Sequence, residues 1–188
     1  MTPFPPLPTE LLHALLRYHI APGDLAIDAT AGNGFDTIFL AECVGETGRV
    51  IAIDIQEPAI SATRVRLDAA GLSGRVALHH GTHVDLAEFA AGGVPSVIVF
   101  NLGYLPGGDS SVITRTEETL AALRSAIGIL APGGILAVTC YPAHPGGDAE
   151  AHAVEQSIST APELRTARYG LIAKGKPAPF ILLSCKQG

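Results

Sequence analysis

Short apolar runs alternate with longer amphipathic segments along almost the whole chain. The runs are rich in Val, Ile and Ala, which is typical of strands buried on both faces of a parallel sheet. They predict strands at 25–29, 49–55, 75–79, 96–100, 135–140, 165–172 and 180–185. The segments between them predict helices at 10–18, 35–44, 58–70, 84–90, 116–130 and 148–160, with Thr9 as the cap of the first helix.

Strict alternation of strands and helices indicates a parallel sheet covered by helices on both faces. The last two apolar runs have no helix between them, so they should pair as an antiparallel hairpin at one edge. We therefore predict an α/β fold with a doubly wound, mostly parallel, seven-stranded sheet whose last strand is antiparallel. A length of 188 residues fits a single domain over 1–188, with residues 1–20 as an N-terminal helical extension.

The segment LAIDATAGNGFDTIFL, residues 25–40, points to a bound cofactor. A strand delivers Asp28 to its carboxyl end, and Gly32 and Gly34 then let the backbone turn tightly and approach a ligand. The dinucleotide fingerprint has a third glycine where this chain has Thr37. A carboxylate beside a pyrophosphate would be repelled, whereas one beside an ammonium group is favoured. The turn therefore favours S-adenosylmethionine over NAD. The alternative is that Asp28 serves only as a helix N-cap or a turn residue.

The second strand, RVIAIDI, ends in Asp54. An acidic residue about 20 residues beyond a glycine turn is placed to accept hydrogen bonds from ribose hydroxyls. NAD and S-adenosylmethionine share this feature, so it does not separate them. The alternative is that Asp54 caps the helix that begins near Pro58.

Two loops at the same sheet edge carry candidate chemistry. In the first loop, Asn101-Leu102-Gly103-Tyr104 resembles the outline found in amino-directed methyltransferases, an Asn or Asp followed by two small or proline residues and an aromatic, although the prolines are missing here. After the fourth strand, NLGYLPGGD places Asn101 where its side-chain oxygen, with the Leu102 carbonyl, would accept the N–H bonds of an amine and aim its lone pair. Tyr104 could stack on a planar base. A purely structural turn is the alternative for this loop, because its Pro, Gly and Asp residues favour turns.

After the fifth strand, YPAHPGGD places Tyr141 and His144 at the carboxyl edge. A neutral imidazole could take the amine proton near pH 7, although His144 could equally be a polar loop residue. His83, after the third strand, could line the adenine or substrate pocket, or fill a surface or core position. The histidine and cysteine spacings match no metal-ligand set.

Composition and charge bear on the compartment of the protein and on the class of partner it binds. No apolar run is long enough for a membrane span, the start of the chain does not read as a signal peptide, and three scattered cysteines favour buried thiols in a reducing cytoplasm. A net charge of −6 with only 12 Lys and Arg gives no support to nucleic-acid binding. Any basic face must be local, or be supplied by a second subunit in a homodimer.

The motifs DATAGNG, IAIDIQ, FNLGYLPGGD, YPAHPGG and PAPF occur in this order along the chain. Together they resemble a small bacterial family labelled putative rRNA methylases, from about Leu11 to Cys185. Characterised members are single-domain tRNA methyltransferases of the class I fold. The resemblance implies S-adenosylmethionine-dependent N-methylation of the 5-aminomethyl group of the wobble (2-thio)uridine, which gives 5-methylaminomethyl-2-thiouridine in the tRNA anticodon loop.

The resemblance and the loop positions together give the candidate site. Cofactor-binding candidates are Asp28, Gly32, Asn33, Gly34, Asp36, Asp54, Ile55, Gln56, His83 and Asn101. Catalytic candidates are Asn101, Tyr104 and His144. Substrate-binding candidates are Asp109, Arg115, Tyr141, Arg168, Lys174 and Lys176.

The chain departs from the family pattern at two places. The family has an acidic residue where this chain has Gly81, and an Asn-rich stretch where this chain has Lys174-Gly175-Lys176-Pro177-Ala178. The alternatives to tRNA methylation are a small-molecule N- or O-methyltransferase, an rRNA methyltransferase and a non-catalytic module that binds S-adenosylmethionine or S-adenosylhomocysteine. An NAD oxidoreductase is a weaker alternative.

Overall fold

A computed structural model describes residues 4–103, 114–144, 146–172, 175 and 177–188. Within these ranges the strands form one seven-stranded sheet with the order β3-β2-β1-β4-β5-β7-β6. The strands are β1 (Leu25–Asp28), β2 (Arg49–Asp54), β3 (Val76–His80), β4 (Val97–Leu102), β5 (Ile135–Cys140), β6 (Leu164–Gly170) and β7 (Phe180–Lys186). The α-helices are α1 (Pro8–His19), α2 (Phe35–Cys43), α3 (Glu57–Ala70), α4 (Leu86–Ala90), α5 (Thr116–Ile129) and α6 (Gly147–Ser159).

Strand pairing confirms the predicted fold class. Strands β1 to β5 pair in parallel, while β7 lies between β5 and β6 and is antiparallel to both. Residues 171–179 join β6 to β7, which is shorter than the roughly twelve residues that a parallel crossover needs, so the chain returns in the opposite direction. The parallel register gathers the carboxyl ends of β1, β2, β4 and β5 at one edge of the sheet.

Apolar side chains bury both faces of the central sheet, which explains why β1, β2, β4 and β5 are apolar runs rather than alternating patterns. The edge strand β6 instead alternates half-buried and exposed residues along most of its length. One core joins Phe100 and Val138 to residues of α4, α5 and α6. The other joins Val50 and Val99 to Leu16 of α1 and to residues of α2 and α3. The N-terminal helix is therefore part of the second core.

The prediction that Thr9 caps the first helix is wrong. Helix α1 begins at Pro8, so Thr9 lies inside it, and Leu7 occupies the cap position. The backbone N–H of Leu7 donates a 2.8 Å hydrogen bond to the Glu10 carboxylate. Proline at the first helical position has no N–H to satisfy and already has a helical φ angle, which favours this earlier start.

Candidate active site

The glycine turn between β1 and α2 is supported from outside by helix α3. Gly32 and Gly34 have φ angles of 53° and 81°, which favour glycine. A Cβ at Gly34 would lie 2.9 Å from the hydroxyl oxygen of Thr63. The same hydroxyl donates a 3.0 Å hydrogen bond to the Gly32 carbonyl, and Arg66 Nε donates to the Asn33 carbonyl at 2.9 Å. Gly34 is thus required by packing within the protein as well as by its backbone angles.

Asp28 is fully buried at the end of β1. Its carboxylate accepts hydrogen bonds from the Thr37 hydroxyl at 2.6 Å and from the Thr30 N–H at 3.3 Å. Burial and the nearby Asp36 raise its pKa to about 7, a change that the two hydrogen bonds oppose and Asp54 reinforces. The alternative that Asp28 caps α2 does not hold, because Gly34 occupies the cap position.

Asp54 connects the end of β2 to the glycine turn. One of its carboxylate oxygens accepts from the Gly32 N–H at 2.8 Å, and the other accepts from the Gln56 N–H at 2.9 Å. Gln56, and not Asp54, occupies the cap position of α3. Ile55 is 56% exposed at this strand end, and its carbonyl lies 3.0 Å from Nε2 of His80.

Asp36 and Asn101 meet where α2 begins and β4 ends. The Asn101 side-chain nitrogen donates a 2.6 Å hydrogen bond to Oδ2 of Asp36, and His13 Nε2 of α1 lies 2.5 Å from Oδ1 of the same carboxylate. Burial would raise the pKa of Asp36, but the hydrogen bonds from His13 and Asn101 and the charge of His13 lower it overall. Asp36 therefore remains ionised at neutral pH.

The ends of β4 and β5 bring Tyr141 and His144 to the same edge. Gly103 has a φ angle of 142°, and a Cβ there would lie 3.5 Å from His144 Nε2 and 3.8 Å from Tyr141 Cβ. Burial, Asp36 and Cys140 raise the pKa of Tyr141, so its hydroxyl stays protonated. The predicted Tyr104 and Asp109 lie outside the described residues.

Glu150 holds the chain that follows the segment 104–113, and Thr114 connects it to Gly103, which precedes that segment. Glu150 is buried in α6 and accepts hydrogen bonds from the hydroxyls of Thr114 at 2.6 Å and Thr119 at 2.7 Å. Thr114 in turn accepts from the Gly103 N–H at 3.1 Å. The sequence analysis missed Glu150, although it lies one helical turn before Val154 on the apolar side of α6. A lone carboxylate in such a stripe is the signal that could have identified it.

His83 lies beneath this edge, with its ring edge-on to Phe100 at a centroid distance of 5.9 Å. Its Nε2 atom is buried and has no hydrogen-bond partner among the described residues. Burial lowers its pKa, against the opposing effect of Glu118, Glu150 and Asp54, so the ring is neutral near pH 7. A ligand group could therefore use this nitrogen.

The two predicted basic residues that the structure describes, Arg115 and Arg168, have acidic neighbours. Arg115 lies 3.6 Å from the Glu118 carboxylate, with 80% of its side chain exposed. Arg168 lies 3.2 Å from the Glu155 carboxylate, and its guanidinium is 3.9 Å from the centroid of the Phe180 ring. Arg168 lines a cleft of about 420 Å³ together with Pro142, Glu155 and Phe180. Lys174 and Lys176 lie outside the described residues.

Three further observations concern metals, membranes and cysteines. In the described ranges, no group of three His, Cys, Asp or Glu residues could hold a metal ion. No helix found there is long and apolar enough to cross a membrane. Cys43, Cys140 and Cys185 are free thiols, of which only Cys140 is fully buried.

The chemistry of this edge fits S-adenosylmethionine. Asp28, Asp36 and Asp54 make it anionic, which suits an ammonium group and disfavours a pyrophosphate. Asp54 also lies at the strand end from which a carboxylate can reach ribose hydroxyls. The buried Nε2 atom of His83, which has no hydrogen-bond partner in the described part of the chain, adds a polar group that a cofactor could satisfy.

Comparison with known proteins agrees with this fit. The model of the family described as putative rRNA methylase matches residues 50–184. A model of protein-L-isoaspartate O-methyltransferases matches residues 6–86, which contain the glycine turn and Asp54. A chloroplastic tRNA (mnm5s2U34)-methyltransferase of Arabidopsis thaliana is 41% identical over 160 residues, which are 78% of this chain and 57% of that protein. The chain thus spans little more than half the length of that relative.

Solved structures give the same result over nearly the full chain. A putative rRNA methylase of Clostridium thermocellum has a TM-score of 0.91 and 34% identity, with 96% of this chain and 97% of that chain covered. A putative methyltransferase of Streptococcus mutans, solved in complex with S-adenosylhomocysteine, has a TM-score of 0.85 and 32% identity, with coverage of 95% and 97%. The chain belongs to the putative rRNA methylase family, whose members have the class I methyltransferase fold and use S-adenosylmethionine as cofactor.

Proposed function

We propose that the protein N-methylates the 5-aminomethyl group of the wobble (2-thio)uridine in tRNA. The observation that carries this proposal is the hydrogen bond from the Asn101 side-chain nitrogen to Asp36 at the end of β4. It leaves the Asn101 side-chain oxygen to accept an N–H bond from a substrate amine. The named activity of the Arabidopsis relative supports the choice of a tRNA wobble uridine.

The proposed reaction is a direct displacement without a covalent enzyme intermediate. S-adenosylmethionine supplies an electrophilic methyl group carried on a sulfonium. The Asn101 side-chain oxygen and the Leu102 carbonyl hold the two amine hydrogens, which turns the nitrogen lone pair toward the methyl carbon. As the carbon–nitrogen bond forms, the carbon–sulfur bond breaks and its electron pair stays on sulfur. The methylated ammonium then loses its proton to water or to His144, which lies at the same sheet edge.

Every predicted site residue except Asp36 is assigned to the cofactor, the substrate amine or the RNA in this proposal. The cofactor is assigned to Asp28, Gly32, Asn33, Gly34, Asp54, Ile55, Gln56 and His83. The substrate amine is assigned to Asn101, with Tyr141 and His144 beside it. Contacts with the RNA are assigned to Tyr104, Asp109, Arg115, Arg168, Lys174 and Lys176, and the reaction would take place in the cytoplasm.

Charge is the feature of the chain that opposes an RNA substrate. The net charge is −6, and both Arg115 and Arg168 have a glutamate partner. An anticodon loop needs only a small footprint, because an unstacked base can be recognised in a pocket. The acidic balance supports a small-molecule methyltransferase as the second candidate.

Substrate dependence distinguishes the two candidates. Labelled S-adenosylmethionine is incubated with tRNA from a strain that lacks wobble N-methylation, with tRNA from its parent strain, and with simple alkyl amines. Our proposal predicts label only in the first tRNA, and that ribonuclease treatment beforehand abolishes transfer. Equal transfer to both tRNAs, or transfer to free amines that does not need RNA, would overturn it.

A further inference from the structure

His13 is a residue of the N-terminal helix that no motif marked. Its ring stacks on Phe39 with a centroid distance of 4.0 Å and an interplanar angle of 2°. The guanidinium of Arg17 lies 5.2 Å from the centroid of the same Phe39 ring. This stacking holds the imidazole in one plane, with Nε2 located 2.5 Å from Oδ1 of Asp36. Helix α1 therefore reaches the edge of the sheet where the methyl donor is proposed to bind.

Asp36 has two carboxylate oxygens, and each has a separate partner. His13 is at Oδ1, and the Asn101 side-chain nitrogen donates to Oδ2 at 2.6 Å. Both side chains in the His13–Asp36 contact are largely shielded, with exposed fractions of 31% and 17%. An ionised carboxylate can only accept hydrogen bonds, so Asn101 must turn its NH₂ group toward Asp36. Its carbonyl oxygen must then point the other way.

The backbone of Asn101 is also fixed. Its N–H donates a 2.6 Å hydrogen bond to the hydroxyl oxygen of Thr30, which follows β1. With the backbone held and the side-chain amide placed against Asp36, two orientations of that amide differ by a flip and have almost the same shape. The flipped orientation would present NH₂ to an incoming amine and would no longer accept its hydrogen. Only the partner at the NH₂ group distinguishes the two orientations.

We propose that His13 and Asp36 are positioning residues that lock the Asn101 amide with its oxygen toward the substrate amine. This inference rests on the proposed function, because it needs an amine at Asn101. In this inference Asp36 acts through Asn101, whereas the sequence analysis predicted that Asp36 contacts the cofactor directly. His13 donates to Asp36 and keeps the carboxylate ionised, and Asp36 selects the orientation of the amide.

Exchanging the two partners tests the role of Asp36. Asn101→Asp alone places two carboxylates in contact, and Asp36→Asn alone lets either amide flip. The double variant restores one donor and one acceptor, because the new amide at position 36 can donate to the new carboxylate at position 101 while its oxygen accepts from His13. We expect each single variant to lower kcat about tenfold or more, and the double variant to recover about tenfold over Asn101→Asp.

A matched pair of substitutions tests the role of His13. Glutamine carries its amide nitrogen near the Nε2 position of histidine, whereas the shorter asparagine side chain reaches only the Nδ1 position. We expect His13→Gln to recover a large part of the kcat that His13→Ala loses, and His13→Asn to recover little. The KM for tRNA should stay within about twofold throughout, since the positioning acts on the reacting group.

Cofactor affinity separates positioning from loss of structure. S-adenosylhomocysteine should bind the double variant and the His13 variants, which keep the number of carboxylates at this edge, within about threefold of the wild type, and should raise their melting temperatures. Activity in the wild type without recovery in the double variant would refute this inference alone, as would equal kcat values for His13→Gln and His13→Asn. A wild-type protein that methylates no amine would refute the proposed function and this inference together.

Discussion

The hydroxyl of Thr37 donates a 2.6 Å hydrogen bond to Oδ2 of Asp28, and both residues are fully buried. Thr37 stands where the dinucleotide fingerprint has its third glycine. Thr37, the residue that argued against an NAD site, therefore forms a hydrogen bond with the carboxylate that precedes the glycine turn. Burial and the nearby Asp36 nevertheless raise the pKa of Asp28 to about 7, so this carboxylate exchanges its proton near neutral pH.

The raised pKa of Asp28 predicts a loss of stability with rising pH in the cofactor-free protein. The pKa rises from 3.8 to about 7, so the folded state binds this proton more tightly than the unfolded state does. The stabilising contribution is complete below pH 3.8 and is lost as the pH rises through about 7. Melting curves of the wild type and of Asp28→Asn should show the wild type losing stability relative to the variant over this range. A constant difference would contradict the raised pKa.

The same group predicts how cofactor affinity depends on pH. If Asp28 contacts the cofactor ammonium, binding favours the ionised carboxylate and releases its proton. The affinity for S-adenosylhomocysteine should then rise by up to about tenfold as the pH increases from about 6 to about 8. Calorimetry in buffers of different ionisation enthalpy would detect the released proton. The Asp28→Asn variant should bind more weakly and with little pH dependence, and an unchanged pH profile would rule out this contact.

Gly34→Ala is expected to destabilise the protein more than Gly71→Ala. Both glycines have left-handed φ angles, 81° and 68°, so both substitutions cost about 1–2 kcal/mol of backbone strain. A Cβ at position 34 would also lie 2.9 Å from the Thr63 hydroxyl, whereas nothing lies within 4 Å of one at position 71. Urea unfolding should show a further loss of about 1–3 kcal/mol for Gly34→Ala. Equal losses of unfolding free energy in the two variants would mean that α3 shifts away from the added methyl group without cost.

Asp54→Ala is expected to weaken S-adenosylhomocysteine binding about tenfold or more. The substitution removes both the proposed ribose contact and the hydrogen bond that holds the Gly32 N–H. Asp24→Ala is the matched control, because that carboxylate also accepts from a backbone N–H, of Ala21 at 2.9 Å, but precedes β1. Calorimetric titration of the two folded variants should show weaker binding only for Asp54→Ala. Unchanged affinity in that variant would remove Asp54 from the cofactor site.

Thr114→Val and Thr119→Val distinguish the effect of the contact at Gly103 from the effect of the contacts that Glu150 of α6 makes. Both remove a hydroxyl that donates to Glu150, but only Thr114 also accepts from the Gly103 N–H. Thr114→Val should therefore lower kcat/KM for tRNA several-fold more than Thr119→Val does. Binding of S-adenosylhomocysteine should be similar in both. Identical kinetics would show that the contact between Gly103 and Thr114 does not shape the substrate site.

The sequence predicted the sheet well because apolar runs and glycine turns report local structure. The runs at β1, β2 and β4 carry β-branched residues, and their ends located Asp28, Asp54 and Asn101 without knowledge of the fold. Boundaries differ by one or two residues where capping decides them, as at Pro8.

Contacts between distant elements could not be predicted in this way. His13 and Asp36 are 23 residues apart, and Glu150 and Thr114 are 36 apart. Such pairs depend on how helices pack against the sheet, which local periodicity does not encode. Likewise, the sequence identified Arg168 as a candidate cation but could not show that Glu155 and Phe180 contact it.

The most direct test of the central claim is nucleoside mass analysis of the tRNA product. Undermodified tRNA from a strain lacking the wobble N-methylation step is treated with the protein and S-adenosylmethionine, digested to nucleosides and separated. Our account predicts that 5-aminomethyl-2-thiouridine disappears as 5-methylaminomethyl-2-thiouridine forms in equal amount, and that Asn101→Ala slows this conversion while still binding S-adenosylhomocysteine. A methyl group on any other nucleoside, or no conversion by protein that binds S-adenosylhomocysteine, would contradict it.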